Sequence, residues 1–252
     1  MKTRAHSIHT VARLAIRLCY GIMFLMLEKD RKFEDKSLRN KAAASIQKAR
    51  TWERTGNPYN INRSGWEYMQ GLGGVAHLFS YIKTLPSKTV LDVGAGTTHG
   101  AHQLSRTSFA QGLHFEATIL RDRPEIQHYL GSKNIHVTSV ETLRGIPDSS
   151  VGCVIAVQSL RYSGAPALAV QSIDRVLVPG GVLKASSLID AFAIVRDSLV
   201  KLGYDVAFEK KFPETRALLG IKPGGPLGPS AAELLNDDVR EADEQIRKAL
   251  SE

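Results

Sequence analysis

Cysteine and long apolar runs are both scarce in this sequence of 252 residues. Its two cysteines, Cys19 and Cys153, stand outside C-x-x-C and Cys/His ligand spacings, which argues against a disulfide framework and a zinc site and favours a reducing compartment. The apolar run at 18–27 is too short to cross a hydrocarbon layer of roughly 30 Å. No small-residue cleavage site follows it, so the chain is not expected to be secreted. We expect a cytoplasmic protein without a metal site, with an organellar presequence as the alternative.

Acidic residues are absent before Glu28, and the formal net charge of +8 is unevenly placed. Residues 1–56 hold 13 Lys and Arg against 5 Asp and Glu, whereas the rest of the chain holds 20 of each sign. We therefore divide the chain into a basic helical appendage at 1–56, a central domain at 57–223, and a linker with an acidic helix at 224–252. The appendage suits an anionic partner, either RNA or a membrane surface, or a helix that packs on the domain.

Hydrophobic residues make up 43% of the chain, enough to fill the core of an α/β domain. Apolar runs alternate with helical patterns after residue 88, which predicts a mostly parallel sheet with helices on both faces. The predicted strands cover 89–93, 113–117, 135–140, 151–157, 181–185, 204–211 and 215–221. The predicted helices cover 33–54, 68–85, 98–107, 124–130, 165–177 and 191–202, with one more after the linker. Two consecutive strands at the end predict one antiparallel strand.

A glycine turn follows the first predicted strand, in the stretch Leu91-Asp92-Val93-Gly94-Ala95-Gly96-Thr97. Glycines let the backbone approach a ligand, and the free N–H groups of the next helix attract an anion. Glu116 lies 20 residues after Gly96, at the end of the second predicted strand, where a carboxylate accepts hydrogen bonds from ribose hydroxyls. His99 replaces the third glycine of a dinucleotide fingerprint. We therefore expect an adenosine-containing ligand other than NAD.

A Pro-Gly-Gly turn precedes the fifth predicted strand, in Ile173-Asp174-Arg175-Val176-Leu177-Val178-Pro179-Gly180-Gly181. With the glycine turn, this stretch resembles the class I S-adenosylmethionine-dependent methyltransferases, over residues 68–223, and most closely their small-molecule, methyltransferase type 11-like branch. The resemblance implies a Rossmann-like fold with a seven-stranded, mostly parallel sheet, helices on both faces and an antiparallel final strand. It also implies S-adenosylmethionine as the cofactor and an unidentified, small-molecule methyl acceptor.

The resemblance gives individual residues of this chain a role. Asp92, Gly94, Ala95, Gly96 and Thr97 would hold the methionine half of the cofactor, and Glu116 its ribose. Ser139 and Val140 would lie beside the adenine, while Gln158 and Ser159 would face the sulfonium and the acceptor. A general base is needed only if the acceptor must lose a proton, and the candidates for it are His99, Tyr162 and Arg161.

Three departures from the family pattern keep alternatives open. Thr98 stands where many members have a third glycine, Ser139 where many have aspartate, and Gly152 where aspartate is frequent. A catalytically inactive, methyltransferase-like assembly or binding subunit is therefore one alternative. An RNA or protein methyltransferase docked by residues 1–56 is the other.

Overall fold

The computed structural model describes residues 74–95, 99–120, 132–157, 159–186, 188, 191–212 and 215–251. The basic appendage, the predicted helices at 33–54 and 124–130, and the first part of the predicted helix at 68–85 lie outside these ranges. So do four residues that were assigned to the glycine turn and the end of the fourth strand, namely Gly96, Thr97, Thr98 and Gln158.

Seven strands form one sheet. They are β1 (Thr89–Asp92), β2 (His114–Ile119), β3 (Ile135–Val137), β4 (Val151–Val157), β5 (Leu177–Ser186), β6 (Asp205–Phe212) and β7 (Thr215–Ile221). Their order is β3-β2-β1-β4-β5-β7-β6, with parallel pairs from β3 to β5 and with β7 antiparallel to both β5 and β6. The predicted Rossmann-like fold with an antiparallel final strand is confirmed. The strand order reverses between β1 and β4, where open α/β sheets bind ligands beyond the carboxyl ends of the strands.

Helices cover both faces of the sheet: α1 (Ala76–Ile82), α2 (His99–Ala110), α3 (Pro166–Val176), α4 (Phe192–Lys201) and α5 (Ala231–Ser251). The first, second and fifth contribute to the hydrophobic core on one face, and α3 and α4 to the core on the other. In α3, buried residues recur at intervals of three and four, as in Ala169, Ile173 and Val176, which places them on one stripe of the helix. No helix in the described ranges is long and apolar enough to cross a membrane.

The central strand β4 is buried along its whole length, as expected for a strand covered on both faces. Its Cys153 is a free thiol with no exposed surface, and burial raises its pKa, so it serves as a small apolar side chain. At Gly152, the pairing of β4 with β5 shifts register. A Cβ on Gly152 would lie 2.3 Å from the carbonyl oxygen of Ser87. This close approach leaves no room for the aspartate that is frequent there in the family.

The ends of β2 and β3, at the ligand edge of the sheet, differ from the predictions. The expectation that Glu116 ends the second strand is wrong, because β2 continues to Ile119, which pairs with Val137 of β3. β3 ends at Val137, so Ser139 and Val140 lie in the loop that follows and not in the strand. This loop is closed by its own hydrogen bonds, and its Ser139 carbonyl accepts from the N–H of Leu143 at 2.9 Å.

The segment predicted as a linker packs against the Pro-Gly-Gly stretch of β5. The fifth strand begins at Leu177, earlier than predicted, so that stretch lies within the strand and does not precede it. A Cβ on Gly225 would lie 2.2 Å from the Cα of Gly180, and the hydroxyl of Tyr81 donates to the Gly180 carbonyl at 3.1 Å. The chain therefore crosses the amino end of β5 in backbone-to-backbone contact before α5 begins.

A buried ion pair fastens α5 to the sheet and to α1. Lys184 of β5 places its Nζ 2.6 Å from Oδ2 of Asp238, and neither side chain is more than 1% exposed. The same Nζ donates to the carbonyl of Gly74 at 2.6 Å. Oδ1 of Asp238 accepts from the N–H groups of His77 and Leu78 at 3.0 and 3.3 Å. The first N–H groups of a helix find no acceptor within the helix itself, and for these two Asp238 supplies it. The helix in the segment assigned to 224–252 is thus joined to the core of the domain.

Candidate active site

The turn after β1 is fixed by both neighbouring strands. Asp92, the last residue of β1, is buried, and Gly94 is exposed with φ of +70°, a backbone region that favours glycine. The N–H of Gly94 donates to Oγ1 of Thr118 at 2.9 Å, and the N–H of Ala95 donates to the Thr118 carbonyl at 3.1 Å. On the other side, the N–H of Val93 donates to a β4 carbonyl at 2.8 Å. The turn is therefore held in one geometry by hydrogen bonds.

Ser159 meets this turn from the end of β4, where a short 3-10 segment (Ser159–Tyr162) begins. A Cβ on Gly94 would lie 2.7 Å from the Cβ of Ser159, so the two segments are in van der Waals contact at the point where the strand order reverses. The Oγ atom of Ser159 is buried and has no hydrogen-bond partner in the part of the chain that the structure describes. The site therefore contains a polar atom that neither strand satisfies.

These residues fit the methionine half of S-adenosylmethionine. Asp92, Gly94 and Ala95 share one turn at the switch point, and the exposed backbone of Gly94 carries no side chain that would hinder a ligand. The buried Oγ of Ser159 lies beside this turn, 3.6 Å from the position that a Cβ on Gly94 would take. The cofactor contacts assigned to Asp92, Gly94, Ala95, Ser139 and Val140 stay predictions, as do those of the residues outside the described ranges, Gly96, Thr97 and Gln158.

Glu116 is held by two histidines. Its carboxylate lies 2.8 Å from Nε2 of His136 and 3.2 Å from Nε2 of His114. The hydrogen bond with His136, followed by the charges of both imidazoles, holds the pKa of Glu116 below its usual range in spite of burial. Within the described ranges, no group of three His, Cys, Asp or Glu side chains is arranged to hold a metal ion. The contact of Glu116 with a ribose stays a prediction, and it requires that the imidazoles leave an oxygen free.

We expect Glu116→Gln to make the free energy of unfolding depend less on pH in the acid range. A depressed carboxyl pKa contributes stability above the unfolded value, about 4.3 for glutamate, and loses it as the pH falls through the folded value. The free energy of unfolding, measured with urea at several pH values below 6, should therefore depend less on pH in Glu116→Gln than in the parent. Equal slopes would show that the histidines do not stabilise the carboxylate.

The loop after β3 contains a carboxylate that the sequence analysis did not single out. Oε1 of Glu141 accepts from the hydroxyl of Ser163 at 2.8 Å and from the N–H of Gly164 at 2.9 Å. Burial alone would raise the pKa of Glu141, but these hydrogen bonds hold it below its usual range. Glu141 thereby ties the loop beside the predicted adenine position to the end of the 3-10 segment that follows β4. Its signal in the sequence was an acid just after a predicted strand end.

Two of the candidates for a general base, Tyr162 and His99, lie next to the switch point of the sheet. Tyr162 ends the 3-10 segment after β4, and the guanidinium carbon of Arg161 lies 5.5 Å from the centre of its ring. His99 is the first residue of α2, directly after the glycine turn. Both positions adjoin the switch point, and the role of each stays a prediction. Thr118, which the sequence analysis missed, is the β2 residue that directly supports the turn.

Comparisons with known proteins were made for the sequence and for the fold. Residues 91–185, from β1 to β5, match the family model described as a methyltransferase domain. No curated protein matches the chain. Similar solved structures include an S-adenosylmethionine-dependent methyltransferase from Archaeoglobus fulgidus, with 13% identity, 59% of this chain and 91% of that chain covered, and a TM-score of 0.46.

Two further structures are similar at the same level. A putative S-adenosylmethionine-dependent methyltransferase from Listeria monocytogenes has 14% identity, covers 59% of this chain and 98% of that chain, and gives a TM-score of 0.45. The [4+2]-cyclase SpnF has 16% identity, covers 59% of this chain and 80% of that chain, and also gives 0.45.

Proposed function

We propose that this chain, whose residues 91–185 match a methyltransferase domain, is an S-adenosylmethionine-dependent methyltransferase that transfers a methyl group to a small molecule bound beside the segment that follows β4, next to the turn at Gly94. The observation that supports it is the contact of Gly94 with Ser159. This contact joins a glycine turn shaped for the cofactor to a second segment, which carries polar side chains for the acceptor.

The chemistry required of the protein is positioning. S-adenosylmethionine, when bound, supplies a methyl group already activated on a sulfonium cation. The turn at Gly94 fixes the methionine half, because Thr118 and β4 hold its backbone. The segment Ser159–Tyr162 would orient the acceptor and exclude water, and orientation alone is worth about 7–11 kcal/mol of barrier.

A small-molecule acceptor is favoured over nucleic acid by the charge of the domain. Residues 57–252 contain as many acidic as basic residues, whereas nucleic-acid binding depends on Lys and Arg contacts to phosphates. An RNA acceptor would therefore need residues 1–56. Deleting residues 1–32 should leave turnover of a small-molecule acceptor intact, whereas loss of turnover with retained cofactor binding would favour the RNA or protein alternative.

We expect Gly94→Ala to weaken binding of S-adenosylhomocysteine by about 1–3 kcal/mol, the usual cost of an inserted methyl group that its surroundings must accommodate. The new Cβ would meet Ser159 at 2.7 Å, so the turn or the end of β4 must move where the cofactor is held. Isothermal titration calorimetry on the full-length protein measures the effect.

Gly112→Ala is the matched control. Its φ of +71° is within 1° of the value at Gly94, but a Cβ there would have nothing within 4 Å. Both variants carry the same backbone strain, and only Gly94→Ala carries the contact with Ser159. Equal affinities in the two variants would contradict the assignment of Gly94. If the parent protein binds neither S-adenosylmethionine nor its product, the inactive, assembly-type alternative replaces the proposal.

A further inference from the structure

Arg161 is held in the proposed acceptor site by residues on both sides of it. Leu160 is completely buried in the core below α3, and Ser163 is bound to the carboxylate of Glu141 at 2.8 Å. Between these anchors the chain forms a single 3-10 turn. The Cα of Arg161 is therefore fixed two residues beyond Ser159, which touches the glycine turn.

The guanidinium of Arg161 has no anion to balance it within the described part of the chain. Its Nε is buried and forms no hydrogen bond there, and none of the ion pairs found among the described residues includes Arg161. The buried Oγ of Ser159 lacks a partner in the same part of the chain. A partly buried cation without a counter-charge is unfavourable, so an anionic ligand would complete the arrangement that the described residues form.

The side chain is also oriented. The guanidinium carbon lies 5.5 Å from the centre of the Tyr162 ring, within the range of a cation–π contact. A planar guanidinium has a rigid fork of donors that matches the two oxygens of a carboxylate. Phosphate would fit the fork as well, but a phosphate monoester carries close to two negative charges, whereas the guanidinium of Arg161 balances one carboxylate.

We propose that Arg161, with the hydroxyl of Ser159, binds a carboxylate of the methyl acceptor, so that the substrates of this chain are small carboxylic acids. The inference rests on the proposed function for its methyl-transfer step. The role of Arg161 is thus acceptor binding, in place of the general-base role considered from the sequence. A guanidinium has only hydrogen-bond donors and no acceptor, which agrees with a binding role.

The test uses benzoate as the probe and benzamide as its neutral counterpart of nearly the same shape. Each is titrated into full-length protein saturated with S-adenosylhomocysteine, at constant ionic strength. Benzoate should bind the parent about tenfold or more tightly than benzamide, as charge-assisted hydrogen bonds require. In Arg161→Gln the preference for benzoate should disappear, while the affinity for S-adenosylhomocysteine stays within about twofold.

Arg161→Lys and Arg240→Gln complete the series. Lysine keeps the charge but lacks the fork, so Arg161→Lys should recover only part of the preference. Arg240 lies on α5, largely exposed and paired only with Asp237 among the described residues, so its loss should change nothing. Benzoate binding that is unchanged in Arg161→Gln, absent in the parent, or matched by inorganic phosphate at equal concentration overturns the carboxylate assignment. Failure to bind S-adenosylhomocysteine overturns the proposed function instead, and the benzoate titration of the free protein then tests the anion site separately.

Discussion

Asp238→Ala is expected to lower the free energy of unfolding by about 3–5 kcal/mol, the cost of leaving one member of a buried ion pair without its partner. In the parent, neither side chain of the pair is more than 1% exposed, so the ammonium group of Lys184 would remain in the core of the variant. The variant also removes the acceptor for two N–H groups at the start of α1. Urea unfolding followed by circular dichroism measures the loss, and a folding midpoint near that of the parent would refute it.

A double variant separates the charge from the packing. In Lys184→Met with Asp238→Leu both charges are replaced by apolar side chains, and such exchanges are often neutral or stabilising. We therefore expect the double variant to regain most of the stability that Asp238→Ala loses, less the contribution of the α1 hydrogen bonds. Asp237→Ala is the neighbouring control, because Asp237 is half-exposed on α5, its ion pair with Arg240 is at the surface, and it should contribute little.

Gly225→Ala is expected to destabilise the domain by about 3 kcal/mol or more, the upper end of the range for an overpacked site. Its Cβ would lie 2.2 Å from the Cα and 2.7 Å from the N of Gly180. Both neighbours are backbone atoms, which cannot rotate away as a flexible side chain can. The crossing segment must therefore leave β5, and α5, which follows it directly, loses its fixed starting point.

The readout for Gly225→Ala is hydrogen exchange along α5 together with the unfolding free energy. Gly224→Ala is the control at the adjacent position, where φ is +83° but the nearest atom to a Cβ is 3.6 Å away. That variant should lose only the strain of a left-handed residue, about 1–2 kcal/mol, and should keep the protection of α5. Equal exchange of α5 in both variants would mean that the backbone contact does not position the helix.

The fold was predictable because its signals are local and repeated. Apolar runs and helical periodicity indicated all seven strands, and the two adjoining strands at 204–221 indicated the antiparallel final strand. The ends of β2 and β3 were not predictable in this way. Thr118 and Ile119 extend β2 because both pair with β3 and because Thr118 accepts hydrogen bonds from the turn after β1, and such pairing depends on residues that are distant in sequence.

The candidate site was predicted at its first strand and less completely elsewhere. Gly94 is required by a positive φ and by the approach of Ser159, and the glycine pattern indicated the first of these constraints. His136 reaches Glu116 from the neighbouring strand β3, and the link from Glu141 to Ser163 joins two loops that follow different strands. Spacing along the chain carries no information on those contacts. For Gly152, the departure from the family pattern was explained only when the carbonyl of Ser87 was seen beside it.

The ion pair between Lys184 and Asp238 also bears on the order in which this domain is completed during synthesis. The hydrogen bond from Leu78 to Asp238 spans 160 positions, and Lys184 precedes its partner by 54. A growing chain thus contains the whole sheet before it contains Asp238, the carboxylate that Lys184 and the start of α1 contact in the finished domain. Contacts of such long range form late in folding, and unfinished domains expose apolar surface. We therefore expect the apolar surface that α5 covers to stay exposed in the nascent chain until α5 has been made.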